Sequence, residues 1–151
     1  MLELLAPAGN LDAVIAAVQN GADAVYMGFG DGFNARRSAD NFTRESFAKA
    51  VRYCHIRGCK VYVTLNTLVG DREMESAAAL AQQASDAGAD AILVQDLGLA
   101  RVLRDALPDI PLHASTQMSI HNLEGARLCE ELGFSRVVLA RELTAAAIRH
   151  I

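Results

Sequence analysis

One short pattern recurs and limits what this chain can fold into. Gly21-Ala22-Asp23-Ala24-Val25 returns as Gly88-Ala89-Asp90-Ala91-Ile92, and Gly133-Phe134-Ser135-Arg136-Val137 is a looser third copy. In each copy a glycine follows an amphipathic segment and a run of branched apolar residues begins two or three positions later. A glycine there reads as the left-handed residue that ends a helix, and the apolar run reads as a buried strand. A unit that closes a helix and opens a strand, repeated along the chain, implies parallel strands joined by right-handed helical crossovers.

The periodicity between the repeats agrees. Asn10 precedes the stripe Leu11, Val14, Ile15 and Val18, and the stripe Phe47, Ala50, Val51 and Cys54 has the same helical spacing. Helices are expected over 11–20, from Thr43 to about 57, over 71–87, 97–107 and 122–132, and from Thr144 onward. Strands are expected at 2–5, 24–27, 60–65, 91–94, 112–114 and 136–139. That makes six β/α units in 151 residues. The closed parallel barrel has eight units in roughly 250 residues. The fold class is therefore α/β, a parallel barrel of TIM type with about six of its eight units, read as a single domain over residues 1–151 that stops short at its C-terminus. A doubly wound open sheet is the rival architecture. Open outer edges on the first and last strands predict self-association.

Composition sets bounds on function. Hydrophobic residues make up 52% of the chain, aromatics only 5%, and the net charge is −4. Small and branched residues fill the core, as suits helices packed on a parallel sheet. The acidic balance leaves no basic face, so any nucleic-acid contact is short or relies on other parts. No stretch is long and apolar enough for a membrane span. The N-terminus lacks a signal-peptide pattern, and three cysteines make no disulfide framework, so a cytoplasmic location is expected. Cys54, Cys59 and Cys129 read as buried inert thiols, and no metal-ligand spacing is legible, so no cofactor is expected within this chain.

Parallel barrels carry their chemistry at the C-terminal ends of the strands. The polar residues gather there: Asn34 and Arg36 in a long loop from Gly28 to Phe42, Asn66, Gln95 and Asp96, Ser115 and Gln117, and Arg141. Arg36 could clamp a carboxylate or phosphate, or be a solvated surface group. Asn66 could orient a substrate or cap a turn. Asp96 is a candidate base or the N-cap of the next helix. His113, inside its strand, is a candidate catalytic group or a satisfied core residue. Arg141 could bind an anionic substrate or pair with Glu142. Catalytic roles are expected for His113, Asp96 and Arg141, and substrate contacts for Asn34, Arg36, Asn66, Gln95, Ser115 and Gln117, all around one concave mouth.

Several segments in order resemble one family. Glu3-Leu4-Leu5-Ala6-Pro7-Ala8-Gly9-Asn10, Phe33-Asn34-Ala35-Arg36, Gln95-Asp96-Leu97-Gly98, His113-Ala114-Ser115-Thr116-Gln117-Met118 and Val138-Leu139-Ala140-Arg141-Glu142-Leu143 are similar to the N-terminal part of the U32 peptidase family. The resemblance runs over essentially the whole chain. It implies collagenase-like proteolysis or hydroxylation of a base in transfer or ribosomal RNA or of ubiquinone precursors, and so an RNA or peptide substrate. It also implies an iron–sulfur cluster in a full-length parent, held by cysteines mostly beyond the Arg141-Glu142-Leu143 motif, which Cys54, Cys59 and Cys129 do not match.

Overall fold

In the computed structural model, residues 2–30, 32–35 and 41–151 are described. Six strands, β1 (Leu5–Pro7), β2 (Ala24–Met27), β3 (Lys60–Leu65), β4 (Ala91–Val94), β5 (Leu112–Ala114) and β6 (Arg136–Val137), form one sheet. They lie in chain order, and every neighbouring pair is parallel. Six helices alternate with them: α1 (Leu11–Gln19), α2 (Arg44–His55), α3 (Met74–Asp86), α4 (Leu97–Ala106), α5 (Leu123–Glu131) and α6 (Ala145–His150). The sheet is curled, and the architecture is an incomplete α/β barrel.

The repeat does its work at the bottom of the barrel, where helices end and strands begin. Gly21, Gly88 and Gly133 all hold positive φ, at 87°, 97° and 84°. The residue after each donates its N–H five residues back, Ala22 to Ala17, Ala89 to Ala84 and Phe134 to Cys129, which satisfies carbonyls that the helix end would otherwise strand. The aspartates of the first two copies have a second task. Asp23 Oδ2 accepts the Leu4 N–H and Asp90 Oδ2 accepts the Val61 N–H, both at 2.7 Å. Each fixes the entry to the strand next door. In the third copy Ser135 Oγ donates instead to the Leu112 carbonyl at 3.2 Å.

Strand alternation sorts the core into two faces. Val25, Met27, Val61 and Val63 point outward onto α1 and α2, and Ile92, Val94, Leu112 and Ala114 point outward onto α3, α4 and α5. Ala24, Tyr62, Ala91 and Leu93 point inward, packed with Leu5 and Tyr26. Helix starts carry side-chain caps at Asn10, Thr43, Asp96, Asn122 and Thr144, each accepting the N–H three residues on.

Two strand boundaries differ from expectation. β1 is Leu5–Pro7, not 2–5. The apolar run misleads here, because Leu2 and Leu4 are 97% and 56% exposed while Glu3 is drawn inward by ion pairs. Pro7 is tolerated within β1. The Ala8 N–H faces β2 and bonds Tyr26 O at 3.0 Å, so the donor-less Pro7 nitrogen faces the open edge. β6 is only Arg136–Val137, not 136–139. Val138 still donates to Ala114 O at 2.9 Å, but Ala140 then bonds Ile120 O, and the chain leaves the ladder.

At the bottom, Glu3 ties the first strand to the last. Its carboxylate accepts from Arg136 and, at 3.0 Å, from the Tyr62 hydroxyl, and Lys60 Nζ lies 3.8 Å away. The guanidinium of Arg136 also sits 5.5 Å from the Tyr62 ring centre. The pair reaches across the curled sheet from the entry of β1 to the start of β6.

Candidate functional site

At the opposite end, the strand C-termini surround a cavity of about 280 Å³. Its walls include the inward strand residues Leu5, Tyr26, Thr64 and Leu93, with Val138 just past β6. Sequence reading left these out, although strict alternation along each strand was the available signal. Five of the expected site residues line the cavity: Asn34, Asn66, Ser115, Gln117 and Arg141.

The long loop after β2 is pinched at its base. Gly30 N donates to Phe42 O and Phe42 N donates to Gly28 O, both at 3.0 Å. Phe29 and Phe42 form a bridge there, and Phe29 packs on the Phe47 ring at 4.7 Å. Asn34 Nδ2 donates to Asn41 Oδ1 at 3.0 Å across the backbone of Gly28. A Cβ on Gly28 would meet those same two amide atoms at 2.3 and 2.1 Å. A side chain here would have to displace that amide pair. Arg36, expected to contact substrate, lies outside the described residues.

Asn66 joins that loop to the far wall. Its Oδ1 accepts the Ala35 N–H at 3.1 Å and its Nδ2 donates to Ser115 Oγ at 3.2 Å. The Ser115 hydroxyl also accepts the Gln117 N–H at 3.3 Å, which starts a short 3-10 turn at Thr116–Met118. Thr64 Oγ1 donates to Met27 O at 3.2 Å. Gln95 stands beside the mouth without lining it, with Nε2 3.4 Å from the Gln117 carbonyl. Arg141 is exposed and has no ion-pair partner among the described residues, so of the two alternatives the pairing with Glu142 is not formed.

Two expected members of the mouth lie elsewhere. His113 faces inward, but one layer lower than Ser115, at the bottom end of the strands. It is 6% exposed and meets the Tyr62 ring edge-on at 4.8 Å. Burial, helped by the charge of Arg136, pushes its pKa down to about 4, so the ring is neutral at pH 7. Asp96 is the N-cap of α4, where Oδ1 accepts the Leu99 N–H at 2.8 Å and Oδ2 the Val69 N–H at 3.3 Å. His113, Asp96 and Ser115 make no hydrogen bond to one another, so no triad is assembled.

The thiols do not fit an iron–sulfur cluster. Cys54 and Cys59 are buried near the bottom of α2 and β3, and Cys129 is buried in the separate cluster around α4 and α5. Burial raises all three thiol pKa values, that of Cys54 to about 12. Among the described residues no three His, Cys, Asp or Glu side chains gather to hold a metal ion. Among them, too, no helix is long and apolar enough to cross a membrane.

The family model described as Peptidase family U32 matches residues 9–151. The chain is 44% identical to the 23S rRNA 5-hydroxycytidine C2501 synthase of Escherichia coli, over 99% of this chain and 22% of that protein. It is 40% identical to tRNA hydroxylation protein P1 of Bacillus subtilis, over 99% of this chain and 35% of that protein. A collagenase of Porphyromonas gingivalis is 35% identical over the same two shares. The chain thus spans roughly a fifth to a third of the length of these relatives. Among solved structures, a U32 peptidase superposes with TM-score 0.78 at 19% identity, covering 100% of this chain and 66% of that one. Deoxyribose phosphate aldolase from Aeropyrum pernix superposes with TM-score 0.71 at 17% identity, covering 99% and 66%. Both likenesses concern the fold.

Proposed function

This chain belongs to the U32 peptidase family, and from that membership and the mouth just described we propose that it is the barrel portion of an enzyme that hydroxylates a base in ribosomal or transfer RNA. The observation that carries the reading is the chemistry of the mouth. Its described lining offers amides, hydroxyls and one guanidinium on apolar and aromatic walls, and holds no carboxylate, thiol or imidazole. Such a surface suits a neutral, flat, hydrogen-bonding ligand. A base taken out of its stack is such a ligand, read by hydrogen bonds at its edge and held by stacking and apolar contact. Tyr26, Leu93 and Val138 would hold the ring, Asn34 and Gln117 would read its edge, and Arg141 would meet a phosphate. The relatives named for rRNA and tRNA hydroxylation support this choice.

In this reading the residues of this chain bind and orient the base. An iron–sulfur centre, where a longer parent carries one, would supply the redox chemistry from cysteines outside this chain. Proteolysis is the second reading, supported by the relative named collagenase. It would require a nucleophile, an acid–base pair or a metal at the mouth. The deciding experiment is nucleoside mass spectrometry of ribosomal and transfer RNA from cells with and without the gene. Loss of a hydroxylated base on deletion is expected. An unchanged nucleoside profile together with cleavage of denatured collagen by the purified protein would replace this reading with the second.

Replacing Arg141 with Ala is expected to weaken RNA binding about tenfold or more, the worth of a charge-assisted hydrogen bond. Stability should change by less than about 0.5 kcal/mol, because the side chain is exposed and forms no ion pair. Equal losses of binding and stability would assign Arg141 a structural role. The open edges of β1 and β6 lead to a further expectation, that the isolated chain self-associates as concentration rises. Light scattering that reports a strict monomer across a hundredfold dilution series would contradict it.

A further inference from the structure

Ser115 is 1% exposed and lines the cavity. A serine hydroxyl has one proton to give and two lone pairs to receive. Here both lone pairs are taken, by Asn66 Nδ2 at 3.2 Å and by the Gln117 backbone N–H at 3.3 Å. Neither donor can reverse its role. A backbone N–H only donates. The Asn66 amide cannot turn over, because its Oδ1 already accepts the Ala35 N–H at 3.1 Å and a flipped amide would set N–H against N–H. The hydroxyl proton is therefore left without an acceptor among the described residues, on a buried side chain at the cavity wall.

We infer that Ser115 is a fixed hydrogen-bond donor that selects a ligand by an acceptor oxygen, and that Asn66 is the residue that holds it in that role. Resting on the nucleobase reading above, the acceptor is a ring carbonyl of the bound base, for which the relative named for 5-hydroxycytidine points to a pyrimidine. An exocyclic amino group at the same place would bring two donors together and be rejected. The same wiring leaves Ser115 poorly suited to nucleophilic attack, since a nucleophile needs a free lone pair and a neighbouring base. In this scheme Asn66 acts through Ser115, with one N–H and one oxygen lone pair of its amide bound inside the protein.

The test has a ligand arm and a ligand-free arm, both on the purified full chain. In the first, calorimetry measures uridine and cytidine 5′-monophosphate against their 2-thio analogues and 4-thiouridine monophosphate, sulfur being the poorer acceptor. One thio exchange is expected to weaken binding to the wild type about fivefold to tenfold, the worth of one neutral hydrogen bond. That difference should vanish in Ser115→Ala. It should also vanish in Asn66→Asp, whose new carboxylate would draw the Ser115 proton away from the ligand. If the mononucleotides bind but neither variant nor any thio exchange alters affinity, the inference about Ser115 is overturned and the nucleobase reading stands.

In the ligand-free arm, carbon-13 NMR titrates the carboxyl group that Asn66→Asp introduces, in that variant alone and combined with Ser115→Ala. A free Ser115 proton would donate to the new carboxylate, so removing Ser115 should raise the pKa of that carboxyl by about half a unit or more. An unchanged or lowered value would show that the proton was never available. If no mononucleotide binds, the nucleobase reading falls, and this second arm still decides whether Ser115 is a donor.

Discussion

Lowering the pH from 7 to 4 is expected to cost the folded state on the order of 3 kcal/mol through His113 alone. Burial holds its pKa near 4 in the fold, against 6.5 for a free side chain. Between those values the unfolded chain binds a proton that the folded chain refuses. The contribution is therefore fully present above pH 6.5 and is lost as pH falls toward 4. Glu3 acts in the same direction in a lower window. Its pKa lies below 4.5, chiefly through the Arg136 hydrogen bond, so its share is present above 4.5 and lost on further acidification. Replacing His113 with Phe keeps an aromatic edge for Tyr62 and removes the first window but not the second. Urea titrations at half-unit pH steps would show this as a curve that stays flat from 7 to about 5 and then falls. A variant curve parallel to the wild type across that range would mean that His113 is not the acid-sensitive group. Because the ring sits below the mouth, the substitution should leave ligand affinity unchanged at pH 7.

The second large effect concerns Arg136. Truncation to Ala removes the donor to Glu3 and leaves the carboxylate with Tyr62 and a more distant Lys60. Fully buried pairs lose about 3–5 kcal/mol when one partner is deleted, and exposed pairs lose about 0–1. With side chains 36% and 23% exposed, this pair falls between, at about 2 kcal/mol. For a domain of this size that is a fall in Tm of roughly 4–8 °C. The double replacement Glu3→Gln with Arg136→Met should recover most of the loss, since it strands no charge. Calorimetry that finds Arg136→Ala within about 1 °C of wild type would show that the pair contributes no more than a surface contact.

Much of the fold was legible because its punctuation is chemical. A glycine that must be left-handed, an Asn, Thr or Asp that must cap, and an apolar run that must be buried each leave a residue-level trace. The first strand was misplaced because Leu2-Glu3-Leu4 alternates like a strand, while Glu3 is placed by a partner 133 residues away that no local pattern announces. The site was legible to the same depth. Reading the residue after each strand found Asn66, Ser115, Gln117 and Arg141. It could not separate His113 from Ser115, because two residues on one strand share a face and differ only in height. Height is set by the stagger of neighbouring strands, which is a property of the closed sheet. Nor could it show that the Asn66 amide bridges Ala35 and Ser115, since that depends on where the loop after β2 returns.

The strand order carries one further consequence, for the way the chain is made. Because β1 to β6 lie side by side in the sequence in which they are translated, each strand finds its partner in the unit that left the ribosome just before it. No early strand waits for a distant mate, so the sheet can grow from one edge as the polypeptide emerges. The Glu3–Arg136 link is the exception among the described residues: it joins the first unit to the sixth and cannot form until Arg136 has emerged.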